Sequence, residues 1–99
     1  MSYVFLLAVS IHMYANDNFS SRLTGYWVNP IFDEAIKVVD MGDGIVVKGL
    51  FNANRSIFFE RINRNKFIDF KRNVIRIEDG NSLVFISRRS YEYIRFEKV

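Results

Sequence analysis

At 99 residues the chain has material for one domain, and 49% apolar with 16% aromatic residues is enough to bury a core, which argues against disorder. It has no cysteine, which excludes disulfides, thiolate chemistry and Cys-ligated zinc. The net charge of +3 is uneven, because residues 16–54 hold three Lys/Arg against five Asp/Glu while residues 55–99 hold eleven against six.

Residues 1–15 carry no charge, and Tyr3-Val4-Phe5-Leu6-Leu7-Ala8-Val9 is a continuous apolar run. The run falls short of the ~20 residues that cross a bilayer, so no stable membrane span is expected. It has the length of a signal-peptide core, with Ala15 as a cleavage residue before Asn16-Asp17-Asn18. The competing expectation is a buried first strand or a short helix plugging a barrel. With a signal peptide at 1–15, the mature domain is 16–99 and is secreted or periplasmic; without one it is cytoplasmic.

From Leu23 onward the chain reads as strands joined by short turns. Leu23-Thr24-Gly25-Tyr26-Trp27-Val28 holds the only tryptophan, and Asn29-Pro30 ends that strand. Residues 34–41 follow, with Ile36 and Val38 on one face. Gly42-Asp43-Gly44 is a hairpin signal, and the return strand, 45–51, sets Ile45, Val47 and Phe51 opposite Lys48. Further strands are expected at 56–62, 66–71, 74–78, 83–87 and 91–98, with Asn63-Arg64-Asn65, Asp79-Gly80-Asn81 and Arg88-Arg89-Ser90 as turns. No helical apolar period is sustained after Ala15, and connections this short leave no room for crossover helices. The expected fold is all-β, an antiparallel meander of about eight short strands closing into a barrel or half-barrel that removes exposed edges.

Asn18-Phe19, Leu23 and Gly25-x-Trp27 resemble the Asn-Phe…Gly-x-Trp opening of lipocalins and the wider calycin group. The chain resembles more closely the small bacterial lipocalin-like domains that begin Leu-x-Gly-x-Trp and end in a basic strand. The resemblance implies a barrel with the tryptophan at its closed end and a basic side chain from near the C-terminus lying across it. Arg95 is the position matched to that role, with Arg88 and Arg89 behind it. About 84 residues for eight strands give roughly 20 Å per strand. A barrel of that size is just wide enough for side chains to fill or to hold one small ligand.

Catalytic chemistry is poorly provided for, and no enzyme, metal site or cofactor is expected. The one histidine, His12, lies in the segment that a signal peptidase would remove. Asp33 and Glu34 are adjacent and would point to opposite faces of a strand, Glu78 and Asp79 lie at a turn, and no phosphate-binding glycine loop or nucleophile motif is present. The expectation is a non-enzymatic, exported lipocalin-like domain that binds a small apolar ligand or a protein partner. Trp27, Tyr91, Tyr93 and Arg95 are its candidate contacts; Tyr91, Tyr93 and Arg95 are expected on one face of the last strand, with Ile94 and Phe96 inward. One alternative is a basic small-barrel module for nucleic acid or another polyanion, built on Arg61, Arg64, Lys66, Lys71, Arg72, Arg88 and Arg89 with aromatics to stack bases. Asp69, Glu92 and Glu97 on the same strands, and export itself, speak against nucleic acid. The other alternative is a structural accessory domain with no ligand.

Overall fold

A computed structural model describes residues 22–99; the signal-peptide assignment, His12 and the Asn18-Phe19 part of the opening motif lie outside the described residues. Eight antiparallel strands follow one another as a meander that closes into a barrel. They are β1 (Gly25–Asn29), β2 (Glu34–Asp40), β3 (Gly44–Lys48), β4 (Ser56–Asn63), β5 (Lys66–Ile68), β6 (Val74–Asp79), β7 (Ser82–Ile86) and β8 (Tyr93–Lys98). Closure is made by β1 on β8, where Trp27 pairs with Lys98 and Val28 with Glu97. The barrel leaves neither β1 nor β8 as a free edge, which a small domain without other staples needs to avoid.

Strand alternation supplies the core. Trp27, Ile36, Val38, Ile45, Val47, Phe59, Phe67, Ile75, Leu83, Phe85 and Phe96 turn inward and are essentially without solvent exposure. Burying each is worth about 1.5–3 kcal/mol, and together they fill the interior. Three of the expected strands are shorter than the sequence implied, and the 91–98 strand begins only at Tyr93. The 45–51 strand stops at Lys48, because Gly49 turns the chain with a φ of 102° into a 3-10 turn, Leu50–Asn52. Phe51 therefore leaves the β3 face and is 58% exposed. The 66–71 strand stops at Ile68, because buried Asp69 accepts from the backbone N–H groups of Lys71 and Asn73 and bends the chain there.

A meander puts alternate connections at opposite ends. The turns after β2, β4 and β6 gather at one end with Arg22 and Val99. The connections after β1, β3, β5 and β7 gather at the other. These two ends are built differently, and the difference locates the candidate site.

Candidate functional site

The first end is sealed. The Trp27 indole N–H donates to the Leu23 carbonyl at 2.9 Å, and the Lys98 ammonium lies 5.7 Å from the centre of the ring while donating to the Arg22 carbonyl at 2.7 Å. Gly25 makes room for it, since a Cβ there would stand 3.0 Å from Lys98 Cε, and its φ of +145° suits glycine alone. The basic cap over the tryptophan is thus Lys98, not Arg95, Arg88 or Arg89. Lys98 lies two residues beyond inward-facing Phe96, whereas Arg95 sits on the outer face. Arg61 completes the seal. Its guanidinium lies 4.8 Å from the centre of the Phe67 ring, pairs with Asp40 at 3.3 Å and donates to the carbonyls of Gly42 and Arg64.

Arg95 and Tyr93 face outward on the barrel wall. Glu78 bridges two cations there, accepting from Arg76 at 2.9 Å and Arg95 at 3.1 Å, and the Arg76 guanidinium lies 5.9 Å from the centre of the Tyr93 ring. The hydrogen bond to Glu78, ahead of the other influences, holds the Arg76 pKa above its already high ordinary value. Val84 faces out between Arg76 and Arg95 in the ladder yet is only 4% exposed, because the apolar stems of its neighbours cover it. Tyr91 does not join this face. It precedes β8 in the connection, with a φ of 58°. The four expected contacts are therefore scattered: Trp27 at the sealed end, Tyr93 and Arg95 on the wall, Tyr91 at the open end.

The seven-residue basic patch is likewise divided. Arg61, Arg64 and Lys66 belong to the sealed end, while Lys71, Arg72, Arg88 and Arg89 stand at the open one. There they are joined by Arg55, which the sequence reading had not singled out. Among the described residues none of these five open-end cations takes part in an ion pair, in contrast to Arg61, Arg76 and Arg95.

The open end also has a breach in its wall. β4 pairs with β3 along residues 56–60 but meets β5 only at Glu60, Arg61 and Asn63. Residues 56–59 therefore have no strand on that side among the described residues. A concavity of about 1420 Å³ occupies the mouth and this gap. Leu50, Phe51, Ile57 and Phe85 line its apolar part, and Arg55, Lys71, Arg72, Arg88 and Arg89 stand on its margin, with Glu60 and Asp69 the acidic members. Phe51 and Phe59 each meet Phe85 edge to face, at 5.4 and 6.4 Å, so the concavity bottoms out on a packed aromatic floor.

Backbone strain is concentrated at the same end. Among the described residues the non-glycine positions with positive φ are Asp33, Phe51, Arg72 and Tyr91, one in each open-end connection. Each such conformation costs about 1–3 kcal/mol and persists only where its surroundings impose it. In three of the four connections buried polar side chains do the imposing, while Tyr91 N–H donates to the Ser87 carbonyl. Asn29 accepts from the N–H groups of Ile31 and Phe32, both at 2.8 Å, and donates to the Arg95 carbonyl. Glu34 accepts from Phe51 N–H at 2.6 Å, and Asp69 holds residues 71–73. Asp33 lies in the turn rather than opposite Glu34 on a strand, and among the described residues no cluster of His, Asp or Glu is arranged to hold a metal ion. Comparisons with protein-family models, curated proteins and solved structures give no match.

Proposed function

We propose that the chain is a non-enzymatic, lipocalin-like binding domain whose open mouth, rather than an enclosed central cavity, takes an amphiphile with an anionic head. The observation that carries this is the pairing of an apolar floor at Phe51, Ile57 and Phe85 with a margin of five cations outside any ion pair. Lipocalin-like kinship is supported by the closed eight-strand meander and by a last-strand cation laid over the Gly25-x-Trp27 indole. In this reading residues 1–15 are the leader of an exported protein, and N-terminal sequencing of material recovered from its host would find a start near Asn16.

The energetics are adequate for a working affinity. Burying six methylenes contributes about 5 kcal/mol, and each cation near the head adds about 1 kcal/mol even at the dielectric of bulk water. Micromolar binding requires about 8 kcal/mol. The test is displacement of anilinonaphthalene sulfonate by a fatty acid and by the alcohol of equal chain length. The acid is expected to compete about tenfold better than the alcohol, a factor worth about 1.4 kcal/mol, and Arg88→Glu with Arg89→Glu to erase that preference. Equal competition by acid and alcohol would refute the reading. Phe58 and Phe70, exposed beside Lys71 and Arg72, favour single-stranded nucleic acid as the second reading; it predicts binding that collapses steeply with added salt.

A further inference from the structure

The open end carries a second arrangement that extends beyond the concavity, sharing with it only Phe70 among the apolar tips. Its connections end in large apolar side chains turned to solvent: Ile31 is 82% exposed, Phe32 65%, Phe70 86% and Tyr91 70%. They come from three separate connections, after β1, β5 and β7, so they ring one end of the barrel. Lys71 and Arg72 follow Phe70 in sequence, Arg88 and Arg89 precede Tyr91, and all four cations share that end with Ile31 and Phe32. The exposed carboxylates there are Asp33 and Glu92, fewer than the cations.

A folded domain gains nothing in stability from apolar tips in water, and most large exposed apolar groups at one place mark a contact surface. These tips are also held in place. Of the buried polar side chains Asn29, Glu34, Asp69 and Ser82, the first three each accept from backbone N–H groups of an open-end connection. Asn29 fixes the Ile31-Phe32 tip and Asp69 the turn that follows Phe70. Preorganised apolar tips interleaved with Arg and Lys match the boundary between acyl chains and headgroups, where aromatic and aliphatic groups insert and cations meet anionic lipid.

We infer that the open end of the barrel docks on an anionic bilayer surface, with Ile31, Phe32, Phe70 and Tyr91 entering the interface and Lys71, Arg72, Arg88 and Arg89 meeting lipid phosphates. A bilayer is favoured over an acidic protein because the tips come from several connections around a barrel end and two of those connections, after β5 and β7, set cations beside them, which suits an extended surface of repeated headgroups. The inference goes beyond amphiphile binding, since Ile31, Phe32 and Tyr91 lie outside the concavity.

The experiment is co-sedimentation of the domain with phosphatidylcholine vesicles, with and without phosphatidylglycerol. Binding is expected to need the anionic lipid and to weaken several-fold between low and high salt. Ile31→Ser with Phe32→Ser should lower vesicle affinity about tenfold or more with an unchanged melting temperature, since both side chains are already in water. Met41→Ser, which removes an exposed apolar group from the sealed end (58% exposed), should leave it unchanged. Failure to sediment with anionic vesicles overturns the inference, and so does an Ile31/Phe32 variant that binds like the parent chain. The latter result would mean attachment by charge alone, as to any polyanion. A domain that takes fatty acid in solution but ignores vesicles also overturns it, and leaves the reading of the mouth intact. One that binds vesicles but no fatty acid does the reverse.

Discussion

Replacing Lys98 by methionine isolates the ammonium that caps the tryptophan. Met keeps most of the stem that fills the space beside Gly25 but loses the cation over the indole and the hydrogen bond to the Arg22 carbonyl. A cation–π contact is worth about 0.5–2 kcal/mol and a hydrogen bond from a charged donor about 1.5–3 kcal/mol. Lys98 is only partly buried, which puts the combined loss near the lower ends, at about 2 kcal/mol. In a domain of this size each kcal/mol moves the melting temperature by about 4–8 °C, so a fall of about 8–16 °C is expected in a thermal melt followed by circular dichroism. Tryptophan emission should shift to the red, because the one indole loses its cover. Arg95→Met is the comparison. Its exposed pair with Glu78 belongs to a class worth about 0.2–1 kcal/mol, and Arg95 lies on the outer face, so the emission maximum should not move. If Arg95→Met disturbs the tryptophan and Lys98→Met does not, the assignment of the cap, and the inside–outside alternation of β8 on which it depends, are wrong.

Gly25→Ala should cost about 1–3 kcal/mol through its positive φ and the crowding of Lys98 Cε. Combined with Lys98→Met, whose side chain is no longer anchored on the Arg22 carbonyl and can swing away from the added Cβ, it should cost less than the separate effects added together, as a double-mutant cycle in urea would show. Phe85→Ala, which removes a ring packed between Phe51 and Phe59, should destabilise by about 3–5 kcal/mol, checked by the urea midpoint. Asp69→Ala leaves the N–H groups of Lys71 and Asn73 without their acceptor and should cost about 1–3 kcal/mol while weakening an anionic probe at the mouth; an unchanged probe affinity would separate that connection from the site. Tyr91→Gly relieves a left-handed conformation at an exposed position, so stability should hold or rise by up to about 1 kcal/mol while vesicle binding falls.

Strand alternation made most of the barrel legible before any coordinates. Ile36 with Val38, Ile75 with Ile77, and Ile94 with Phe96 follow the period of two, and each pair faces inward. Asp43-Gly44 and Gly80-Asn81 mark turns that the structure contains. What escaped has physical causes. The early stop of β5 is decided by a side chain, Asp69, that competes with the ladder for backbone N–H groups, and nothing in the apolar pattern reports such competition. Phe51 fits the alternation of β3 well, but the left-handed Gly49 before it breaks the strand. Lys98 was within reach, since two residues past an inward Phe96 is again an inward position, and the family pattern drew attention to Arg95 instead. The division of the basic residues was also within reach. In a meander, connections of odd rank share an end, which groups Arg55 with Lys71, Arg72, Arg88 and Arg89 and separates Arg61, Arg64 and Lys66.

The contrast between the two ends is the strongest reason to place binding at the mouth. At the sealed end two basic side chains are taken up by the fold: Arg61 on Asp40 and Phe67, Lys98 on Trp27 and a carbonyl. Those contacts satisfy hydrogen bonds and close the core, and stability alone explains them. At the mouth the cations stand without ion pairs among the described residues, and like charges at one end oppose the compact state. Each connection there also holds a strained residue, and apolar tips stand in water. Buried Asn29, Glu34 and Asp69 hold that arrangement rather than relieve it. Such local costs, accepted at one place and braced from below, are what a site for a ligand or surface demands. Inside the barrel Phe59, Phe67, Phe85 and Phe96 are buried and occupy space that a wider barrel would leave for a guest. On the proposed reading the ligand is met at the rim, where five cations outside any ion pair among the described residues favour an anion.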